Sequence, residues 1–231
     1  MEHPRFIMQN NPYAAPQVSS QQDSVAINKV LRNTYMLLGL TIIFSAIVAG
    51  VAMAMEAPRL NFIVMIVGFY GLLFAIHKTQ NSSMGLVFTF ALTGFLGYSL
   101  GPIFNMVLSI PGGSNTITMA LSMTGLTFLS LSAYAVISKK DFSFLSGFLM
   151  TGFIVIVVAF VANLFLQIPI LSLAISGFMV LFSSAAILWQ TGQIINGGER
   201  NYISATVTLY VSIYNILLSL IHILTAFSGD D

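Results

Sequence analysis

The stretch that decides the fold is Tyr202–Phe227, YISATVTLYVSIYNILLSLIHILTAF, which carries no Asp, Glu, Lys or Arg along its whole length. A helix needs about 20 predominantly apolar residues to cross a hydrocarbon layer roughly 30 Å thick, and this run meets that requirement. Working outward from it, six further stretches of the same kind occupy about 34–55, 60–77, 84–108, 116–137, 143–166 and 168–189. All 15 charged residues lie in a terminal segment, a short connection or the margin of a stretch. Charged residues make up 6% of the chain and apolar residues 57%, whereas soluble domains carry about a quarter charged residues. Strands of a transmembrane barrel would be about 10 residues long with alternating polarity, which these stretches are not. The expected fold is an all-α membrane protein, a seven-transmembrane-helix bundle over residues 29–231.

Lys and Arg set the expected orientation. With the N-terminus cytoplasmic, that side holds Arg5, Lys29, Arg32, Lys78, Lys139, Lys140 and Arg200, and the other holds Arg59. The expectation is therefore a cytoplasmic N-terminus and a C-terminus outside. The first stretch reads as a retained helix, since it is long for a signal peptide and no small-residue cleavage site precedes Glu56 and Arg59. A net charge of +1 gives no basis for nucleic-acid binding, and zero cysteines exclude disulfides and thiolate metal sites.

Residues 1–28 are rich in Gln, Asn, Pro and Ser, a composition that predicts a disordered tail. Fully extended, its first 24 residues would reach on the order of 80 Å. The later connections are short, so successive helices should be antiparallel neighbours. In the third stretch Gly94, Gly97 and Gly101 are small residues suited to close helix packing, Gly97 and Gly101 in a GxxxG spacing. Pro102 follows at once and predicts a kink or break.

Along Tyr202–Phe227, Thr208, Ser212, Asn215, Ser219 and His222 recur at helical spacing and form one polar face. In the sixth stretch Ser176, Ser183 and Gln190 recur every seven residues. The two stripes should face each other or the bundle interior, either as interhelical hydrogen-bonding groups or as a neutral hydrated path. His222 is the one titrating group well inside a stretch, where proton relays and cation sites usually use carboxylates or basic groups. Gly97-Tyr98-Ser99-Leu100-Gly101 matches the G-x-S-x-G pattern of serine hydrolases, but that motif works on a strand-to-helix turn and here falls in an apolar helix. No P-loop or dinucleotide fingerprint is present. No catalytic, cofactor-binding or metal-binding residue is expected.

The segments GFLGYSLGPIF (94–104), SAYAVISKKDFSFL (132–145) and INGGERNYISATVTLYVSIYNILLSL (195–220), with NKVLRNTYMLLGLTIIFSAI (28–47), resemble the Bax-inhibitor family. The likeness runs from about Asn28 to Phe227 and is nearest to a bacterial branch. It implies seven helices, a cytoplasmic N-terminus, residence in the bacterial inner membrane and a non-enzymatic role as modulator of the membrane-bound protease FtsH. Relatives of the calcium-leak type carry an aspartate pair that senses pH; by motif its members fall on Gln190 and Ser212, both uncharged here. Two close carboxylates titrate as a coupled pair and can bind a cation, while Gln and Ser do neither. The alternative reading that the resemblance offers, a calcium or proton leak channel with its aspartate switch lost, is weakened accordingly. The partners expected are the lipid bilayer and an FtsH-type protease.

Overall fold

The computed structural model describes residues 15–228, with side chains from residue 25 onward. Seven helices make up the described residues: α1 (Ala15–Ala54), α2 (Phe62–Thr79), α3 (Ser83–Leu108), α4 (Gly113–Ser138), α5 (Leu145–Leu166), α6 (Pro169–Ile195) and α7 (Tyr202–Ser228). Each contains a segment long and apolar enough to cross a membrane. No strand occurs among the described residues.

The helix limits follow from local chemistry. The Asn61 side-chain oxygen accepts from the Ile63 amide at 2.9 Å and starts α2, satisfying one of the donors that a helix start leaves open. Asn201 starts α7 in the same way, its oxygen accepting from Ile203 and Ser204 at 2.9 and 3.1 Å. Pro169 opens α6, where its missing N–H costs nothing. His77 and Lys78 occupy the last turn of α2, favourably placed against the negative end of the helix dipole.

Two expectations change. The first helix, expected at 34–55, begins at Ala15. Residues 15–28 of the expected disordered tail are therefore helical; the rest of that segment lies outside the described residues. Pro16 stands in the first turn, where it is tolerated, and Val25, Ile27, Val30 and Leu31 add apolar spacing that the Gln- and Ser-rich composition concealed. The second change is the absence of a break at Pro102, one of the two outcomes expected there: it lies inside α3, which continues to Leu108. An apolar helix tolerates an interior Pro because neighbouring elements and local adjustments can make good the lost hydrogen bond.

The core is centred on α3 and α7. In their most apolar windows 50% and 56% of residues are buried within the protein, against 6% for α2 and 11% for α5. α1 packs on α3 and α7, α4 and α6 both pack on α7, α2 lies against α3, and α5 lies against α6. Leu92, Leu96, Ile187, Leu209 and Ile216 are among the fully enclosed side chains. The outer faces of α2 and α5 carry large exposed apolar groups such as Phe74, Val67, Phe153 and Phe165, as lipid-facing surfaces should.

The connections define two ends. Asn201 at the start of α7 donates to Gln80 O and Asn81 Oδ1, 3.0 and 2.9 Å away, so the end of α2 and the start of α7 meet. Lys29, Arg32, Lys78, Lys139, Lys140 and Arg200 gather at this end by the alternation of the helices. At the opposite end, among the described residues, Arg59 is the one Lys or Arg. Asp141, in the α4–α5 connection, accepts from the Ser143 amide at 2.8 Å and from its hydroxyl. Those bonds hold its carboxyl below the usual carboxylate range, the hydroxyl bond contributing most.

Candidate functional site

Helix α3 approaches α1 closely because glycine removes the side chain at the crossing. A Cβ on Gly97 would lie 2.5 Å from the Ser45 carbonyl oxygen, and one on Gly101 would lie 2.6 Å from Ala52 Cβ. At Gly94 the neighbour is the Phe44 ring, 2.9 Å from such a Cβ. Pro102 and Phe104 are buried just beyond. This crossing places two hydroxyls, Ser45 and Ser99, within reach of α7.

Two tyrosines of α7 receive them. Tyr210 Oη lies 2.5 Å from Ser45 Oγ and donates to Thr93 O at 3.3 Å. Tyr214 Oη lies 2.6 Å from Ser99 Oγ, while Ser99 itself donates to Leu96 O at 2.7 Å. Ser99 is thus a mid-helix hydroxyl tied to its own backbone and to a phenol. Nearer the Lys-rich end, Thr206 Oγ1 lies 3.2 Å from Thr34 O, and the Tyr35 and Thr191 hydroxyls are 3.3 Å apart. A buried polar seam therefore ties α1, α3, α6 and α7 together. In an apolar medium each hydroxyl needs such a partner, since an unmet polar group is costly there.

The stripe of α7 named from spacing lies on a different face. Ser212 donates to Thr208 O at 2.8 Å, and Thr208 to Ser204 O at 3.1 Å; their hydroxyls are absorbed by their own helix. Ser219 is buried, Asn215 half-buried and His222 exposed. His222 Nδ1 lies 2.8 Å from Ser176 Oγ and joins α7 to α6. The antiparallel register set by that bond puts Gln190 level with Thr208 and Ser183 level with Asn215. Gln190 and Ser183 are 2% and 1% exposed, and Gln190 Nε2 and Ser183 Oγ have no hydrogen-bond partner among the described residues. Thr34 Oγ1 and Ser132 Oγ share that condition. Spacing found the α6 side of this arrangement and missed Tyr210 and Tyr214, whose signal is two tyrosines four residues apart on one face.

Among the described residues, no three His, Cys, Asp or Glu side chains come together as a metal site would need. Apart from the His222 imidazole, the polar side chains of the site are hydroxyls and amides that donate and accept hydrogen bonds. Their chemistry is suited to holding helices in register.

The family model described as inhibitor of apoptosis-promoting Bax1 matches residues 27–229. An uncharacterized protein of Pseudomonas aeruginosa is 54% identical over 224 residues, covering 97% of this chain and 100% of the relative. The modulator of FtsH protease YccA of Escherichia coli is 51% identical over 216 residues, covering 92% of this chain and 98% of the relative. The same identity and coverage relate the chain to a protein of a second Escherichia coli strain named inner membrane protein YccA. This is a multi-pass protein of the bacterial inner membrane, and it belongs to the family of inhibitors of apoptosis-promoting Bax1.

Proposed function

We propose that this protein modulates an FtsH-type membrane-bound protease and engages it through its N-terminal segment on the cytoplasmic side. The observation that carries the reading is the 51% identity over nearly the whole of both chains with the relative named for that role. The Lys-rich end of the bundle is the cytoplasmic end on this reading, because basic residues favour retention there. The role is one of interaction and needs no catalytic residue.

The shape of α1 supports the same reading. The charge-free apolar stretch of α1 begins near residue 34, yet the helix starts at Ala15. The helical residues 15–33, about 28 Å at 1.5 Å per residue, precede that stretch and offer a handle at the edge of the hydrocarbon layer. The bundle behind it is tied by buried hydroxyl pairs and close helix crossings, which suits a body that resists extraction. Removal of residues 1–24, followed by measurement of protease association and of the degradation rate of a membrane substrate, tests the proposal. Loss of both effects with an intact bundle is expected.

A second reading, a calcium or proton leak through the α6–α7 interface, is favoured by one observation. Gln190 Nε2 and Ser183 Oγ are buried polar atoms without partners among the described residues, as groups lining a hydrated path would be. Against it stands the neutrality of Gln190 and Ser212. Calcium and proton flux into liposomes holding the purified chain separates the readings; no flux above empty liposomes is expected across roughly pH 5 to 8.

A further inference from the structure

Helices α1 and α4, each packed on α3 and α7, border a groove of 240 Å³ on the side of the bundle. Small residues hollow its α1 wall: Ala46 and Gly50 are exposed there, and a Cβ added to Gly50 would meet nothing within 4 Å. Its floor is made by the buried Leu100, Phe104 and Leu217, and exposed Leu121 forms the facing wall. The polar groups that border it, Ser45, Tyr210 and Tyr214, spend their hydroxyls on each other and on Ser99. A water needs two to four polar partners, and none is on offer, so the groove suits hydrocarbon.

Length and charge identify which hydrocarbon. Along α1 the groove runs from Ile42 to Met53, about 16 Å at 1.5 Å per residue. One leaflet of a bilayer core is about 15 Å thick, half of the roughly 30 Å total. At Met53 the groove adjoins a second crevice, of 500 Å³, lined by Glu56, Arg59 and Asn105. Arg59 is the sole Lys or Arg among the described residues at that end. Its guanidinium contacts the Met106 sulfur, a weak acceptor that leaves most of its five donors available. A leaflet-length apolar slot that ends at one cation and one anion matches a phospholipid with an amine-bearing, zwitterionic head group.

We propose that this groove binds one such phospholipid, an acyl chain lying between α1 and α4, its phosphate on Arg59 and its ammonium facing Glu56. A transmembrane helix of another protein, or of a second copy, would fill the slot but leave the Glu56 and Arg59 pair unmatched. Arg is well suited to phosphate, which its planar fork can bind with two parallel hydrogen bonds.

The test is native mass spectrometry of the full chain in mild detergent, titrated with phosphatidylethanolamine or phosphatidylglycerol of matched acyl chains. One phosphatidylethanolamine per chain should be retained saturably, in preference to phosphatidylglycerol. Gly50→Leu, which fills the slot, should cut retention of both at least tenfold. Arg59→Gln should weaken both several-fold, and Glu56→Gln should abolish the preference for the amine-bearing lipid. Arg59 and Glu56 are exposed, so these two variants keep the test valid should Gly50→Leu fail to fold. Absence of saturable retention, or retention unchanged in both Gly50→Leu and Arg59→Gln, would overturn the proposal. So would loss of a dimer or a protein partner, rather than of lipid, on Gly50→Leu.

Discussion

The Tyr214 hydroxyl lies 2.6 Å from Ser99 Oγ, across the interface between α7 and α3. Ser99 also donates to Leu96 O, which leaves its oxygen to accept from the phenol. Tyr214→Phe and Ser99→Ala should each destabilise the bundle by about 0.6–1.7 kcal/mol, the range for interhelical hydrogen bonds in membranes. The double variant should cost less than the sum, because a single bond is being removed. Thermal unfolding in detergent measures this, and additive losses would show that the two groups do not interact. Ser99 should also remain unlabelled by a serine-reactive phosphonate.

Gly97 and Gly125 should respond to alanine with opposite signs. A methyl at position 97 would meet the Ser45 backbone oxygen at 2.5 Å, whereas at position 125 it would meet nothing within 4 Å. Backbone cannot yield as a side-chain tip can, so Gly97→Ala should cost about 1–3 kcal/mol, as overpacking does. Gly125→Ala should be neutral or stabilising by up to about 1 kcal/mol, since glycine in a helix interior is unfavourable. Equal melting temperatures for the two variants would contradict the α1–α3 crossing.

Gln190 tests whether the α6–α7 interface is dry. Its Nε2 is buried without a partner among the described residues, and an unmet amide costs free energy that an apolar side chain of similar size does not. Gln190→Leu should therefore leave stability unchanged or raise it by about 1 kcal/mol. A marked fall in melting temperature would mean that the amide is hydrated, and would favour the leak reading.

The α4–α5 connection should loosen only in strong acid. The Asp141 carboxyl is held below its ordinary value of 3.8 by the Ser143 hydroxyl and amide. A group whose folded pKa is depressed contributes stability above its unfolded pKa and loses it as pH falls through the folded value. Protection of the Ser143 amide, taken relative to intrinsic exchange at each pH, should thus hold from neutral pH downward and fall only below about pH 3.8. In Asp141→Asn the exchange should lose this dependence.

What was legible in the sequence follows the strength of each signal. Seven charge-free stretches mark seven helices, because a charge near the bilayer centre is costly. Gly97 and Gly101 were legible as small residues, although only the folded chain tells that their neighbours are Ser45 and Ala52. The start of α1 was not: a Gln- and Ser-rich segment reads as a tail by composition, while helix continuation depends on the apolar residues of α1 that follow it. Tyr210 and Tyr214 were missed because tyrosine counts as apolar in a hydropathy reading, yet its hydroxyl must find a partner when buried. The Thr208–His222 stripe was found by period, but spacing cannot reveal that Thr208 and Ser212 spend their hydroxyls on their own helix.

FtsH and the full chain are reconstituted together in liposomes, and degradation of a membrane substrate is timed with the full chain and with a form lacking residues 1–24. The full chain should co-purify with FtsH and slow degradation several-fold, while the shortened form should fold, insert and do neither. Equal slowing by both forms, or no association of the full chain with FtsH, would contradict the proposed role.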